Sequence, residues 1–129
     1  MRMKKIKVIL NPVAGRGFSN RAETEICRYL KAEGLTFDLV YTERKGHAIE
    51  LAKQAAAEGF EVVAAGGGDG TTNEVINGVA SATEGKRKNS CAVALFPTGS
   101  GNDFSFNAGV PEDFRQVCSL ISKGQTRVV

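Results

Sequence analysis

The chain has 129 residues, 42% of them hydrophobic, with 17 Lys and Arg against 14 Asp and Glu for a net charge of +3. That length suits one domain, 1–129, with a real core; the charge is too small to indicate a nucleic-acid partner, and no apolar run approaches a membrane span. Cys27, Cys91 and Cys118 are far apart and form no C-x-x-C pair, which points to buried reduced thiols in a cytoplasmic protein rather than to metal ligands.

Ile6-Lys7-Val8-Ile9-Leu10 reads as a first strand. Arg2, Lys4, Lys5 and Lys7 surround an apolar run too short for a signal peptide. This basic cluster and Lys86-Arg87-Lys88 suit solvated loops or peripheral contact with an anionic membrane surface. Asn11-Pro12 breaks the strand, and Asn11-Pro12-Val13-Ala14-Gly15-Arg16-Gly17 forms a turn of small residues. Ser19 or Asn20 is expected to cap a helix on which Ala22, Ile26 and Leu30 recur at i, i+4 and i+8. Gly34 ends it, and Phe37-Asp38-Leu39-Val40-Tyr41 is the second strand. Thr42 follows at the C-terminal end, where open α/β sheets bind ligands. After Glu43-Arg44-Lys45-Gly46, a second helix is expected over 47–58, with Ala48, Leu51, Ala52 and Ala55 on one face. The single histidine, His47, stands at its start. No Ser or Cys nucleophile motif accompanies it, so a local hydrogen bond or cap is expected there rather than catalysis.

The stretch from Val62 to Glu74 organises the chain. Val62-Val63-Ala64-Ala65 reads as a buried parallel strand. Gly66-Gly67-Gly68 would then turn sharply and admit a ligand close to the backbone. Asp69-Gly70-Thr71-Thr72 offers caps for a helix beginning near Thr71 or Thr72. A strand, a bare turn and a helix N-terminus together make a phosphate site. Neither G-x-x-x-x-G-K-[ST] nor G-x-G-x-x-G/A fits: no Lys-Ser or Lys-Thr follows, and the third glycine position falls on Thr71. Asp69 is either the N-cap or a group that organises Mg²⁺ or accepts a proton, because a carboxylate among phosphates repels them otherwise. The glycine run, the preceding strand and two further small-residue turns favour the second reading.

The third helix presents Val75, Ile76 and Val79 and is expected to end near Ala80-Ser81. An exposed loop over 83–89 leads to Cys91-Ala92-Val93-Ala94-Leu95-Phe96, a fourth buried strand stopped by Pro97. Pro97-Thr98-Gly99-Ser100-Gly101-Asn102-Asp103-Phe104 is the third small-residue turn. Pro111-Glu112-Asp113 opens a last helix with Phe114, Val117, Cys118 and Ile121 on its apolar face and Gly124 as C-cap. Residues 125–129 begin a further strand. The alternation implies an α/β fold, a layered, mainly parallel sheet with flanking helices. All the candidate turns then converge on one sheet edge as a polyphosphate cleft.

Asn11-Pro12-x-x-Gly15, Gly67-Gly68-Asp69-Gly70-Thr71-x-Asn73-Glu74 with Asn77-Gly78, and Pro97-x-Gly99-Ser100-x-Asn102-Asp103-Phe104 together resemble the soluble bacterial diacylglycerol kinases, relatives of sphingosine and ceramide kinases. The resemblance covers essentially the whole chain. Its glycine core is shared with NAD kinases and, more loosely, phosphofructokinases, and the Asn-Asp-Phe turn separates the lipid kinases from both. It implies an NAD kinase/diacylglycerol kinase-like N-terminal domain that binds ATP and Mg²⁺ and serves transfer of the γ-phosphoryl group to diacylglycerol or a related lipid. By the same resemblance ATP contacts fall on Asn11, Pro12, Val13, Ala14 and Gly15, on Thr42, on Gly67 and Gly68 through Asp69, Gly70, Thr71, Thr72, Asn73 and Glu74, and on Ser100 and Asn102. Asp69 would be the catalytic and metal-organising carboxylate, with Arg16 or Lys45 offsetting phosphate charge. The family often carries threonine where this chain has Ser100, so the hydroxyl is kept. Family members continue into a second, mostly β domain that shapes the lipid site, so the expectation is a half-enzyme, inactive alone and prone to self-association, cytoplasmic and peripheral at the membrane. An NAD kinase and a non-catalytic nucleotide-binding regulatory module remain the alternatives.

Overall fold

The computed structural model describes residues 5–11, 18–67, 69–83, 91–97 and 114–123. Strands and helices alternate among them: β1 (Lys5–Leu10), α1 (Phe18–Ala32), β2 (Thr36–Tyr41), α2 (His47–Ala57), β3 (Val62–Gly67), α3 (Asp69–Thr83), β4 (Ala92–Pro97) and α4 (Phe114–Lys123). Every strand pair is parallel, and the sheet order is β2-β1-β3-β4. The α/β fold expected from the alternation is therefore the one observed.

The order follows from how the chain travels. From β1 it moves outward to β2, then steps back past β1 to β3 and on to β4. Right-handed crossovers put helices on opposite faces when that direction reverses. On one face Ile6, Val8, Leu10, Val62, Ala64 and Phe96 meet α1 and α4 through residues such as Ile26, Leu30 and Val117. On the other, Ile9, Val63, Ala65 and Leu95 meet α2 and α3. Odd and even strand positions thus feed two separate cores, as a period of two requires. Phe96 and Phe114 lock α4 to β4 with rings edge to face, 5.4 Å between centroids and 85° apart.

Two helices end in the same way. Gly34 (φ 72°) and Gly59 (φ 94°) adopt the left-handed conformation that a side chain disfavours. The N–H groups of Leu35 and Phe60 then return to the carbonyls of Leu30 and Ala55 at 3.0 and 3.1 Å, a Schellman closure that sends the chain into the next strand. Phe60 is buried there, with the Lys5 ammonium 4.4 Å from its ring centroid. That end of the sheet is opposite the strand C-termini.

Several boundaries differ from expectation. α1 begins at Phe18, so Ser19 and Asn20 lie within its first turn instead of capping it. Gly66 and Gly67 belong to β3 and do not turn; their lack of a side chain serves packing, because a Cβ on Gly66 would sit 2.1 Å from Leu10 Cδ2. α3 starts at Asp69, ahead of the expected Thr71 or Thr72, and Asp69 is its first residue rather than a preceding cap. It runs on to Thr83, whose hydroxyl donates to the Val79 carbonyl at 2.9 Å. β4 includes Pro97, in register with Gly67; β4 is an edge strand among the described residues, where a missing N–H is tolerated. The turns at 12–17 and 98–104 and residues 124–129 lie outside the described residues.

α2 and α3 pack closely because the facing residues are small. Ala48, Ala52 and Ala55 are buried, and a Cβ on Gly78 would lie 2.4 Å from the Ile49 carbonyl oxygen and 2.9 Å from Ala52 Cβ. Gly78→Ala gains about 1 kcal/mol of helix propensity, but overpacking against a backbone atom that cannot rotate away costs about 1–3 kcal/mol. A net loss is expected in urea denaturation, and a stabilised variant would show that α2 yields.

All three cysteines are free, and Cys118 is fully buried. Burial pushes the Cys91 thiol up to about 11; burial, helped by Glu33, pushes Cys118 up to about 12. A thiol whose folded pKa is raised contributes stability that is complete below the unfolded value of 9.0 and is lost as pH climbs through the folded value. Denaturation midpoints should fall as pH rises from 9.0 toward the folded value, and less steeply in Cys118→Val. An identical slope in the variant would exclude this thiol as the cause.

Candidate functional site

Because the strands are parallel, Asn11, Thr42 and Gly67 all stand at the same edge of the sheet. The chain's direction reverses between β1 and β3, so the helices that follow them diverge to opposite faces and leave a crevice there. The ladder is extended one step beyond each strand: Asn11 N–H donates to the Gly66 carbonyl at 2.9 Å, and Thr42 N–H to the Leu10 carbonyl at 2.8 Å. Both residues therefore leave the sheet at fixed places.

Across the crevice, Asn11 Nδ2 donates to Thr71 Oγ1 at 3.2 Å. This bond ties the start of the turn after β1 to the first turn of α3. It needs a bare backbone beside it, since a Cβ on Gly67 would lie 2.7 Å from Thr71 Oγ1 and 2.8 Å from its Cβ. The first N–H groups of α3 have no intrahelical acceptor and carry the positive end of a 15-residue helix. Gly70 there is exposed, and a Cβ on it would meet nothing within 4 Å. Thr71 and Thr72 are buried, Asn73 is exposed and Glu74 is half-buried.

The turn from β2 to α2 forms the next wall. Glu43 N–H donates to His47 Nδ1 at 2.9 Å, and His47 N–H to the Arg44 carbonyl at 3.1 Å. His47 is thus a local acceptor. Gly46 N–H donates to Glu74 Oε2 at 3.3 Å, joining this turn to α3. Arg44 pairs with Glu50, both exposed, an arrangement worth little energetically. Lys45 is exposed as well. Tyr41, last in β2, donates its hydroxyl to Glu23 of α1; burial first and this bond second push the phenol up to about 12.

Of the residues expected at the site, the structure brings together Asn11, Thr42, Gly67, the start of α3 at Asp69 and Gly70, and Thr71 to Glu74. Pro12, Val13, Ala14, Gly15, Arg16, Gly68, Ser100, Asn102 and Asp103 and the Asp69 side chain lie outside the described residues. Sequence reasoning named Asn11 and Thr71 but not their bond, and it missed Tyr41, Glu23 and the Gly46–Glu74 contact altogether. Among the described residues no three His, Cys, Asp or Glu side chains gather as a metal cage.

The sequence pattern of the Diacylglycerol kinase catalytic domain family matches residues 5–129. The chain is 31% identical over 128 residues to a diacylglycerol kinase of Bacillus subtilis, covering 98% of this chain and 41% of that protein. It is 35% identical over 118 residues to a Cronobacter sakazakii protein named "Probable lipid kinase YegS-like", covering 92% and 38%. The crystal structure of a diacylglycerol kinase from Bacillus anthracis superposes with a TM-score of 0.77 at 29% identity, covering 97% of this chain and 42% of that one. The chain thus spans less than half the length of these relatives.

The Asn11–Thr71 bond spans the crevice. A double-mutant cycle of Asn11→Ala and Thr71→Val should return a coupling of about 0.5–1.5 kcal/mol in denaturant unfolding. Strict additivity would mean that the two side chains do not hold one another.

Proposed function

The chain belongs to the Diacylglycerol kinase catalytic domain family, and from that premise we propose that it is the ATP-binding part of a lipid kinase, acting on the hydroxyl of diacylglycerol or a related lipid. The observation that carries the reading is the crevice between β1 and β3, where Asn11, Gly67 and the open N-terminus of α3 meet. Phosphoryl transfer asks mainly for positioning and charge stabilisation, and such a helix end with a bare strand beside it supplies both.

In this proposal the N–H groups at the start of α3 hold phosphate oxygens. Thr71, Ser100 and Asn102 add neutral hydrogen bonds, Asn11 to Gly15 and Thr42 line the nucleotide's flanks, and Gly68, Gly70, Thr72 and Asn73 complete the cradle. Asp69 is the carboxylate that would hold Mg²⁺, whose charge offsets that of the phosphates. The acceptor lipid belongs elsewhere. The large apolar side chains of the described residues fill the two cores, and Ile49, 37% exposed, is the one large hydrophobic left outward among them. No described helix is long and apolar enough to cross a membrane, so the proposal has the protein meet its lipid peripherally, from the cytoplasm.

The test is a labelled-ATP assay with diacylglycerol in mixed micelles, run with residues 1–129 alone and with the longer polypeptide that carries them, and with NAD as a rival acceptor. ATP–Mg²⁺ binding by both, with lipid phosphorylation only by the longer one, is expected. Phosphorylation of NAD instead would replace the lipid reading, and no nucleotide binding by a folded chain would end it. Asp69→Asn in the longer protein should lower kcat about 10²–10³-fold, the scale of losing one preorganised electrostatic group, with little change in Tm. Normal turnover with a collapsed Tm would make Asp69 a helix-start residue only.

A further inference from the structure

Thr71 and Glu74 stand three residues apart on α3, so they share one side of the helix. Each reaches a different turn at the ligand-facing edge. Thr71 takes the Asn11 amide, and Glu74 takes the Gly46 N–H at 3.3 Å. Gly46 is the N-cap of α2, in the left-handed conformation (φ 84°, ψ −12°), and α2 has no side-chain cap of its own. A glycine cannot supply one. The carboxylate of Glu74 accepts the N–H of the cap residue itself, the bond an N3 carboxylate makes in a capping box, but from the neighbouring helix and near the positive end of the α2 dipole. Its reach is set by the close α2–α3 contact at Gly78, where there is no room for a Cβ. The rest of the turn is closed on itself by the Glu43–His47 and His47–Arg44 bonds, and Thr42 is fixed to Leu10. A turn so closed moves as one piece, and Glu74 ties it to α3.

We infer that Glu74 is a positioning residue: its carboxylate locks the β2–α2 turn, whose start the sheet already fixes at Thr42, to α3. The ligand-facing turns after β2 and β3 then form one preset surface. Glu74 acts through Gly46 rather than by holding metal or phosphate. That the surface receives a nucleotide rests on the function proposed above; the tie between the turns does not.

The experiment compares wild type with Glu74→Gln, which keeps an acceptor oxygen, Glu74→Ala, which has none, and Glu74→Asp, which keeps the charge but is one methylene short. Amide exchange of Gly46 and Thr42 is read without nucleotide, ATP affinity is read with it, and the Mg²⁺ requirement and KM-against-kcat split are read in the longer protein used for the lipid assay. Glu74→Ala and Glu74→Asp should speed Gly46 exchange about tenfold. They should also raise KM for ATP about tenfold while kcat at saturation falls less than about threefold. Glu74→Gln should recover most of both. If Glu74→Ala does not fold, Glu74→Asp carries the same comparison. Unchanged Gly46 exchange overturns the inference, as does faster exchange with unaltered ATP affinity, which would make the contact purely structural. Equal damage from Glu74→Gln with a raised Mg²⁺ requirement would make Glu74 a metal ligand. Should the wild type bind no ATP while Gly46 exchange responds as expected, the kinase reading falls and the tie between the turns stands.

Discussion

β3 is the constraint on which the rest depends. It is buried at every position from Val62 to Gly67, so both its faces must be small enough to accept helices. Its last two residues carry no side chain, and neighbours occupy the space: Leu10 beside Gly66, Thr71 beside Gly67. The strand therefore stays paired to its end, reaching Gly66 opposite Leu10 and Gly67 opposite Pro97. Only Gly68 then separates it from α3. A strand with side chains there would push Thr71 away from Asn11 and open the crevice from below. The glycines that invite a phosphate reading thus also do packing work, and the two roles are compatible because both demand a bare backbone.

The same economy governs the second face. Alanines on α2 and Gly78 on α3 let the helix pair approach closely, and that approach brings Glu74 within reach of Gly46. Helix packing chosen for the core in this way decides which polar groups meet at the sheet edge. On the first face, Tyr41 and Glu23 do something similar, tying the end of β2 to α1. The edge is consequently braced by bonds from both layers, while the core beneath it is wholly apolar apart from Thr71 and Thr72 among the buried residues described.

Such a layout divides labour. Among the described residues the two cores take up the large apolar side chains apart from Ile49, and the edge presents backbone N–H groups, hydroxyls and an amide beside the Glu74 carboxylate. The relatives that the protein matches are more than twice as long as this chain.

Much of this was legible beforehand. Strand and helix identities followed from spacing: Val117, Cys118 and Ile121 recur with a helical period and are buried, and Ile6 and Val8 alternate as a strand requires. The motifs at Asn11 and at Gly67 to Glu74 pointed to one edge, because parallel strands can end nowhere else. Boundaries were less legible where packing overrode local preference, as when Gly66 and Gly67 stayed in the sheet and α3 began at Asp69. What the sequence by itself determined was local: periodicity, turn chemistry and the family resemblance, all carried by residues near one another in the chain. Tertiary structure alone decided the strand order, which helix covers which face, and the bonds Asn11–Thr71, Gly46–Glu74 and Tyr41–Glu23, whose partners are 60, 28 and 18 residues apart. Those contacts come from the registers and helix distances that the buried side chains allow, and no local pattern encodes a distance that packing sets.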